Sequence, residues 1–482
     1  MTELSASSIA DAPVARSRAT GVHRLPAVLA LAALAWGAAA AVYYAAQDLT
    51  LSHYDAKAHL VVARRIIDSL TPGWVQIGAV WLPLPHLIGM LPVQVDAWYR
   101  SGLPGVVVSV ASFALLIHSA VRLHLQFGRW PAAALSATLL AANPNLLYLQ
   151  STPMTEPLLL GLLGLAIAEI ASAVDEERSP TRGSVVLMLA VMTRYEAWPA
   201  AAAIAVGVGL ARLHQGRRLP GAIRDALRAV RWPIVAVLWF FVHSRLTVGE
   251  WFVTGGFYVP DPRYLHRPDA VAQALWHGTR VLGSTVLASA APIAVVWLAW
   301  LWLRRQVRPA AVIALAWIAV GALPAYAFYQ GHPFRVRYMV PLVTAAAVLV
   351  PFAIDRLPRP RLRAVGAILL LLGVLSTVRP FDSRAAMVVE AQWDRPKSRA
   401  RQQVTACLPE APDDTVTVLA SMGSLAHYMH ELSHRGYAIR NFLHEGNGEL
   451  WTAAVERPRD HVRWILIEEV TEGGDVLAQR AR

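Results

Sequence analysis

From Leu25 onward the chain alternates between apolar blocks and short polar links. Block length sets the reading, because a helix of about 20 apolar residues crosses a bilayer. Blocks fall at Leu25 to Ala46, Leu103 to Leu123, Pro131 to Leu149, Pro157 to Val174, Gly183 to Thr193 and Ala197 to Leu213. Others follow at Trp232 to Val248, Val281 to Leu303, Pro309 to Tyr329, Tyr338 to Ile354 and Ala364 to Val378. The pattern predicts an α-helical polytopic membrane protein with about eleven crossings. Two of the blocks are short and meet at a charged tip, Thr193-Arg194-Tyr195-Glu196. The first block outlasts a signal-peptide core, so it reads as a signal anchor, and residues 1–24 read as a disordered cytoplasmic tail. The Arg-bearing links (Arg122 and Arg129, Arg178 and Arg182, Arg212 to Arg231, Arg304 to Arg308, Arg356 to Arg363) then all lie on one side. By the positive-inside rule that side is the cytoplasm, which puts the N-terminus inside and the C-terminal part outside.

Between the first two blocks, residues 47–102 are too polar to stay in lipid and form the first outer loop. Its segment Ser52 to Asp68 reads SHYDAKAHLVVARRIID. On a helix Asp55 and His59 share one face while Lys57 and Arg64 point to roughly the other. Val62 and Ile66 continue the Asp55 face, as a cavity wall at the membrane surface would require. Ser52 and Asp55 also have the spacing of a capping box, so a helix start alone would account for both. The Pro-rich stretch TPGWVQIGAVWLPLPHLIGMLP and Trp98-Tyr99-Arg100 fit amphipathic helices lying in the interface.

Past Arg379 the apolar blocks end. Residues 381–403 read as a charged linker and 404–482 as a small α/β domain. TVTVLA, YAIRNFL and VRWILIEEV read as strands, and Met422 to Arg435 and Glu449 to Glu456 as helices. That alternation predicts a parallel sheet in a three-layer unit, and its small size predicts that it packs on the membrane part.

Composition sharpens this picture. The 482 residues are 56% hydrophobic and 16% charged, with mean hydropathy +0.42, which excludes a soluble multidomain chain. A net charge of +12 would suit nucleic acid, but the arginines cluster in links between spans, so no nucleic-acid partner is expected. The single cysteine, Cys407, excludes an internal disulfide and a multi-cysteine metal site.

Four polar clusters share the outer side in this topology: Asp55 with His59, the Pro153-Met154-Thr155-Glu156-Pro157 turn, Arg194-Tyr195-Glu196, and His332 to Tyr338. Ionisable groups converging at span ends indicate a functional site. A carboxylate can take a proton from an acceptor hydroxyl, and arginines can hold a departing phosphate. Two other readings stay open. His430-Glu431-Leu432-Ser433-His434 has the H-E-x-x-H spacing of a zinc metalloprotease, although burial of Met422, Leu425, Met429 and Leu432 would leave its histidines on a solvated face. Many spans with outward arginines would also suit a lipid or glycan transporter, although no internal repeat is evident.

YDAKAHLVVARRI, WLPLPHLI, MTEPLLL, TRYEAWP and RVRYMVPL, in this order over residues 25–380, resemble the GT-C membrane glycosyltransferases. The branch they resemble is that of protein O-mannosyltransferases and aminoarabinose transferases. The resemblance implies a GT-C fold, a polyprenyl-phosphate sugar donor, and inverting transfer to a hydroxyl of a lipid, polysaccharide or protein acceptor. It implies the bacterial inner membrane as location, no nucleotide, no required cofactor, and a divalent metal in some relatives. Asp55 matches the family's catalytic base; many relatives carry a second acid directly after it, where this chain has Ala56. Glu156 matches the second acidic position. Arg194, Arg335 and Arg337 are the candidates for the lipid phosphate, with Arg337-Tyr338 matching an Arg-Tyr pair at a span start. Lys57, His59, Tyr195, Glu196 and His332 complete the expected substrate-binding set.

Overall fold

The computed structural model describes residues 24–253, 258–393, 395–411, 415–469 and 475–480. The expected N-terminal tail lies outside the described residues. The membrane bundle comprises α1 (Leu25–Ala45), then the loop helices α2 (Tyr54–Arg65), α3 (Leu84–Gly89) and α4 (Asp96–Ser101). It continues through α5 (Leu103–Phe127), α6 (Trp130–Ala141), α7 (Pro144–Leu149), α8 (Glu156–Asp175), α9 (Thr181–Val191), α10 (Ala197–His214) and α11 (Leu219–Val248). It closes with α12 (Pro268–Gly283), α13 (Thr285–Leu303), α14 (Ala322–Tyr329), α15 (Val340–Ile354) and α16 (Pro360–Leu375).

Eight helical segments among the described residues are long and apolar enough to cross a membrane. The other three expected spans are shorter helices: α6 with 12 residues, α9 with 11 and α16 with 16. The block expected to run unbroken from Pro131 to Leu149 is split. Asn143 stops α6 and caps α7 by accepting from the amides of Asn145 and Leu146, and Pro144 supplies the first turn of α7. Proline stands in the first turn of α1, α5, α6, α8, α11, α15 and α16 as well. There its missing N–H has no carbonyl to bond, so sequence punctuation becomes helix starts. Helices α5 and α8 approach closely because Gly161 has no side chain; a Cβ there would lie 2.5 Å from the carbonyl oxygen of Ser112. At the far ends of these helices the link arginines are ion-paired, as in Arg308–Asp175 at 2.8 Å, Arg129–Asp355 at 2.8 Å and Arg122–Glu169.

The stretch after the bundle carries α17 (Ala386–Ala391) and α18 (Arg395–Cys407). Its charge reads as linker, yet Met387 and Val388 are buried in the main core and Glu390 is buried with them. The apolar face of one short helix outweighs the polar composition around it.

The C-terminal unit follows the strand and helix order expected. Strands β1 (Val418–Leu419), β2 (Phe442–Leu443) and β3 (Trp464–Ile465) form a parallel sheet in the order β2-β1-β3. Helices α19 (Met422–Leu432), α20 (Glu449–Glu456) and α21 (Val476–Arg480) accompany them. Alternate strand residues face opposite ways: Val418 and Phe442 pack with Leu425, Met429 and Leu432 of α19, whereas Leu419 and Leu443 pack with Ala454 and Leu477.

The α19 side of this unit shares its core with Ala58, Leu60, Val61 and Ala63 of α2 and with Tyr99 of α4. Helix α2 is therefore enclosed on several sides, and Ala56 and every residue from Ala58 to Arg65 are buried. The expected amphipathic helix at the membrane surface is instead an internal element. Asp68 fastens the contact: it accepts from the amide of Ile439 at 3.0 Å and from Nε of Arg64 at 2.9 Å. Asp68→Ala is expected to cost about 3 kcal/mol, because charged hydrogen bonds are lost and Arg64 is left buried with less compensation. Hydrogen exchange of α19 and the sheet checks this; protection equal to wild type would contradict it.

Candidate active site

Helix α2 starts at the end of the bundle where α8 begins and where the turn before α15 lies. Its N-cap is His53, whose Nδ1 accepts from the amide of Asp55 at 3.2 Å. The Ser52-Asp55 capping box does not form, because the Ser52 hydroxyl donates to the carbonyl of Ala391 in α17. Asp55 thus sits in the first turn, aimed across the bundle rather than back at its own helix.

There it meets Arg337, whose Nη2 lies 2.5 Å from Oδ2 of Asp55. The same guanidinium reaches Glu156 at the start of α8 at 3.8 Å and places Nη1 3.1 Å from Nε2 of His53. Glu156 is fully buried and pairs with Arg194 at 3.1 Å. Arg194 is gripped by Glu196 at 2.9 Å and donates to the Thr155 hydroxyl at 3.0 Å. Four clusters far apart in sequence therefore form one chain of charges: Asp55, Arg337, Glu156, Arg194, Glu196.

Burial alone would raise the Asp55 carboxyl. The Arg337 guanidinium more than offsets this and holds it well below the usual carboxylate range. For Arg194, burial would lower the guanidinium, but Glu156 and Glu196 reverse the sign and raise it. Both groups are ionised at neutral pH.

The remaining expected residues divide. His332 stands beside the cluster, its Nε2 3.3 Å from the hydroxyl of Tyr338, and the ring of Tyr338 lies under the Arg337 guanidinium, 5.5 Å from its carbon. Arg335 is half-buried two residues before Arg337. Glu156, expected as catalytic, has no exposed surface and pairs with both Arg194 and Arg337. Lys57 points away toward Glu431 of α19, at 4.0 Å. Tyr195 donates to the carbonyl of Val80 and packs on Trp198 and Phe252, which makes it a fastener of the loop. His59 is buried beside Trp81, with Nδ1 3.1 Å from Nε2 of His86, and burial pushes its imidazole down to about 3. It is a neutral hydrogen-bonding group.

Two site residues escape a reading of the sequence. His53 adjoins Asp55 but offers only a cap. Glu390 lies in the apparent linker, where its one signal is a lone acid after the apolar Met387-Val388-Val389. It is buried, accepts from the amide of Val336 at 3.0 Å, and has Oε1 3.8 Å from Nε2 of His53.

The metalloprotease reading fails on geometry. His430 is not solvated: α4 covers it, its Nε2 is 3.2 Å from the carbonyl oxygen of Tyr99, and burial pushes it down to about 3. Helix α19 ends at Leu432, so His434 lies beyond it in a tighter turn and is exposed. Among the described residues no three His, Cys, Asp or Glu side chains are grouped as a metal ion would require.

No family model matches the sequence, and no curated protein matches it. Among solved structures the chain is similar to ArnT from Cupriavidus metallidurans bound to undecaprenyl phosphate, at 15% identity over 92% of this chain and 90% of that one, with a TM-score of 0.53. The apo state of the same protein matches at 16% identity over the same shares, with a TM-score of 0.52. The Archaeoglobus fulgidus oligosaccharyltransferase tethered with an acceptor peptide matches at 11% identity over 86% of this chain and 63% of that one, with a TM-score of 0.52. At such identities the likeness is one of fold. Eight membrane-length helical segments among the described residues, a loop helix folded back over the end of the bundle, and a match along nine-tenths of both chains give this protein the fold of the GT-C membrane glycosyltransferases.

Proposed function

We propose that the protein is an inverting glycosyltransferase that moves a sugar from a polyprenyl-phosphate donor to a hydroxyl of a lipid, glycan or protein acceptor. The observation that carries this reading is the Asp55–Arg337 contact at 2.5 Å, a base and a phosphate-binding cation in one site. Asp55 removes the proton of the acceptor hydroxyl. The oxygen attacks C1 of the sugar from the face opposite the phosphate, the bond from C1 to the phosphate oxygen breaks, and polyprenyl phosphate leaves with its electron pair. Arg337 holds the growing phosphate charge, supported by Arg194 and by Arg335 on the same turn.

In the resting site three carboxylates (Asp55, Glu156 and Glu196) face the two guanidiniums of Arg194 and Arg337. An arriving phosphate therefore competes with Asp55 for Arg337. Once displaced, Asp55 loses the partner that depresses it, so its basicity rises as the donor binds. The site opens on the outer face of a bacterial inner membrane, with the C-terminal unit on the same side, close enough to α2 to border the acceptor.

Purified protein in detergent, given a panel of radiolabelled polyprenyl-phosphate sugars with membrane extract, tests this. Label is expected to leave one donor for an extractable acceptor without a sealed membrane. No transfer from any donor by folded protein would remove the reading; movement of label only across sealed vesicles would favour a transporter.

A further inference from the structure

Three side chains at the start of α2 stand in an order that charge alone would not choose. Arg337 and Glu390 carry opposite charges, both are buried, and the imidazole of His53 lies between them. Its Nε2 is 3.1 Å from Nη1 of Arg337 and 3.8 Å from Oε1 of Glu390. A guanidinium this close to a buried carboxylate pairs with it when nothing intervenes. The ring's own hydrogen bonds explain why it intervenes. Nδ1 accepts from the Asp55 amide, so a ring proton belongs on Nε2. Nε2 stays 3.8 Å from Oε1 of Glu390, beyond hydrogen-bond reach, and in this tautomer it cannot accept from Arg337, which only donates. The guanidinium is left to Asp55, and its Nε has no hydrogen-bond partner among the described residues.

Glu390 cannot retreat from this arrangement. Its other oxygen accepts from the amide of Val336, one residue before Arg337. Helix α17 is anchored by Met387, whose amide donates to Asn145 at 2.9 Å, and by Ala391, whose carbonyl accepts from Ser52.

We propose that His53 is a positioning residue that keeps Arg337 apart from Glu390, so that the guanidinium stays available to Asp55 and to an anionic ligand. The role rests on the glycosyl-transfer reading only in naming that anion as the phosphate of a polyprenyl donor. Glu390, in turn, fixes the turn that carries Arg337 without neutralising it.

The test is binding of undecaprenyl phosphate to the purified full chain in detergent. His53→Ser keeps a side-chain oxygen able to cap α2 and removes the ring. It is expected to weaken binding about tenfold, as Arg337 turns to Glu390. Adding Glu390→Gln removes the competing charge, keeps an acceptor for the Val336 amide, and is expected to restore the affinity. A role limited to capping would leave His53→Ser unaffected, and a general loosening would not be reversed by Glu390→Gln; either result overturns the proposal. If wild-type protein binds no undecaprenyl phosphate, the donor reading fails and thermal melting decides the partition alone. Glu390→Gln should then lower the melting temperature more in the His53→Ser background, where it breaks a direct ion pair, than in wild type. Equal lowering overturns it.

Discussion

Asp55→Asn is expected to reduce transfer by about 10²- to 10⁴-fold, the usual contribution of a positioned general base, while leaving the protein folded. The amide is isosteric, and Arg337 keeps Glu156 at 3.8 Å, so the buried guanidinium is not stranded. Binding of polyprenyl phosphate should hold or tighten, because the carboxylate that competes for Arg337 is gone. This split between chemistry and binding marks a base rather than a helix cap. Loss of a cap alone would lower the melting temperature and leave the rate per folded molecule unchanged. The pH dependence carries its own sign. Burial would raise Asp55, but Arg337 depresses it below the 3.8 of a free carboxyl. Its contribution to stability is therefore present above that value and is lost only as pH falls through the depressed folded value. In the free enzyme, kcat/KM should show no acid limb from Asp55 above about pH 4. A limb near pH 6 would assign the titrating group elsewhere.

Arg337→Ala is expected to have the larger effect on the fold. The guanidinium meets Asp55 at 2.5 Å and Glu156 at 3.8 Å, and both the arginine and Glu156 are buried. Removing one member of a buried charge network leaves uncompensated charge and costs roughly 3–5 kcal/mol. The variant should melt well below wild type and bind undecaprenyl phosphate far more weakly. Arg337→Lys tests the geometry separately: it restores charge and much of the stability, yet a point-like ammonium cannot serve Asp55 and a phosphate through separate N–H groups. Transfer should remain low although the melting temperature recovers. Wild-type activity with lysine at this position would show that charge alone suffices.

Block lengths, prolines at block starts and arginines in the links were enough to give the bundle, since burial of apolar surface and the loss of backbone hydrogen bonds in lipid act on each segment locally. The alternation after Thr415 likewise gave the parallel sheet and α20 at its own boundaries, because strand and helix periods differ within a single segment. Asp55, Arg194 and Arg337 were legible as span-end charges. Apart from Glu196, two residues from Arg194, their partners were not. Glu390 looked like linker because composition there is polar, and only packing of Met387 and Val388 into the core carries it to His53. Lys57 and Tyr195 have the right chemistry in the right loops but point to Glu431 and Val80, a matter of rotamer and neighbour. The pattern around His430 predicts a solvated ring because nothing in its own helix shows that α4 lies on it. The sequence by itself determined most of the segments that form membrane-length apolar helices and which polar residues stand at their ends, because those depend on local hydropathy and period. Tertiary structure alone decided which charges meet, that α2 is clamped by the C-terminal unit, and that a histidine separates Arg337 from Glu390. Those are contacts between residues up to several hundred positions apart, set by three-dimensional packing rather than by any local pattern.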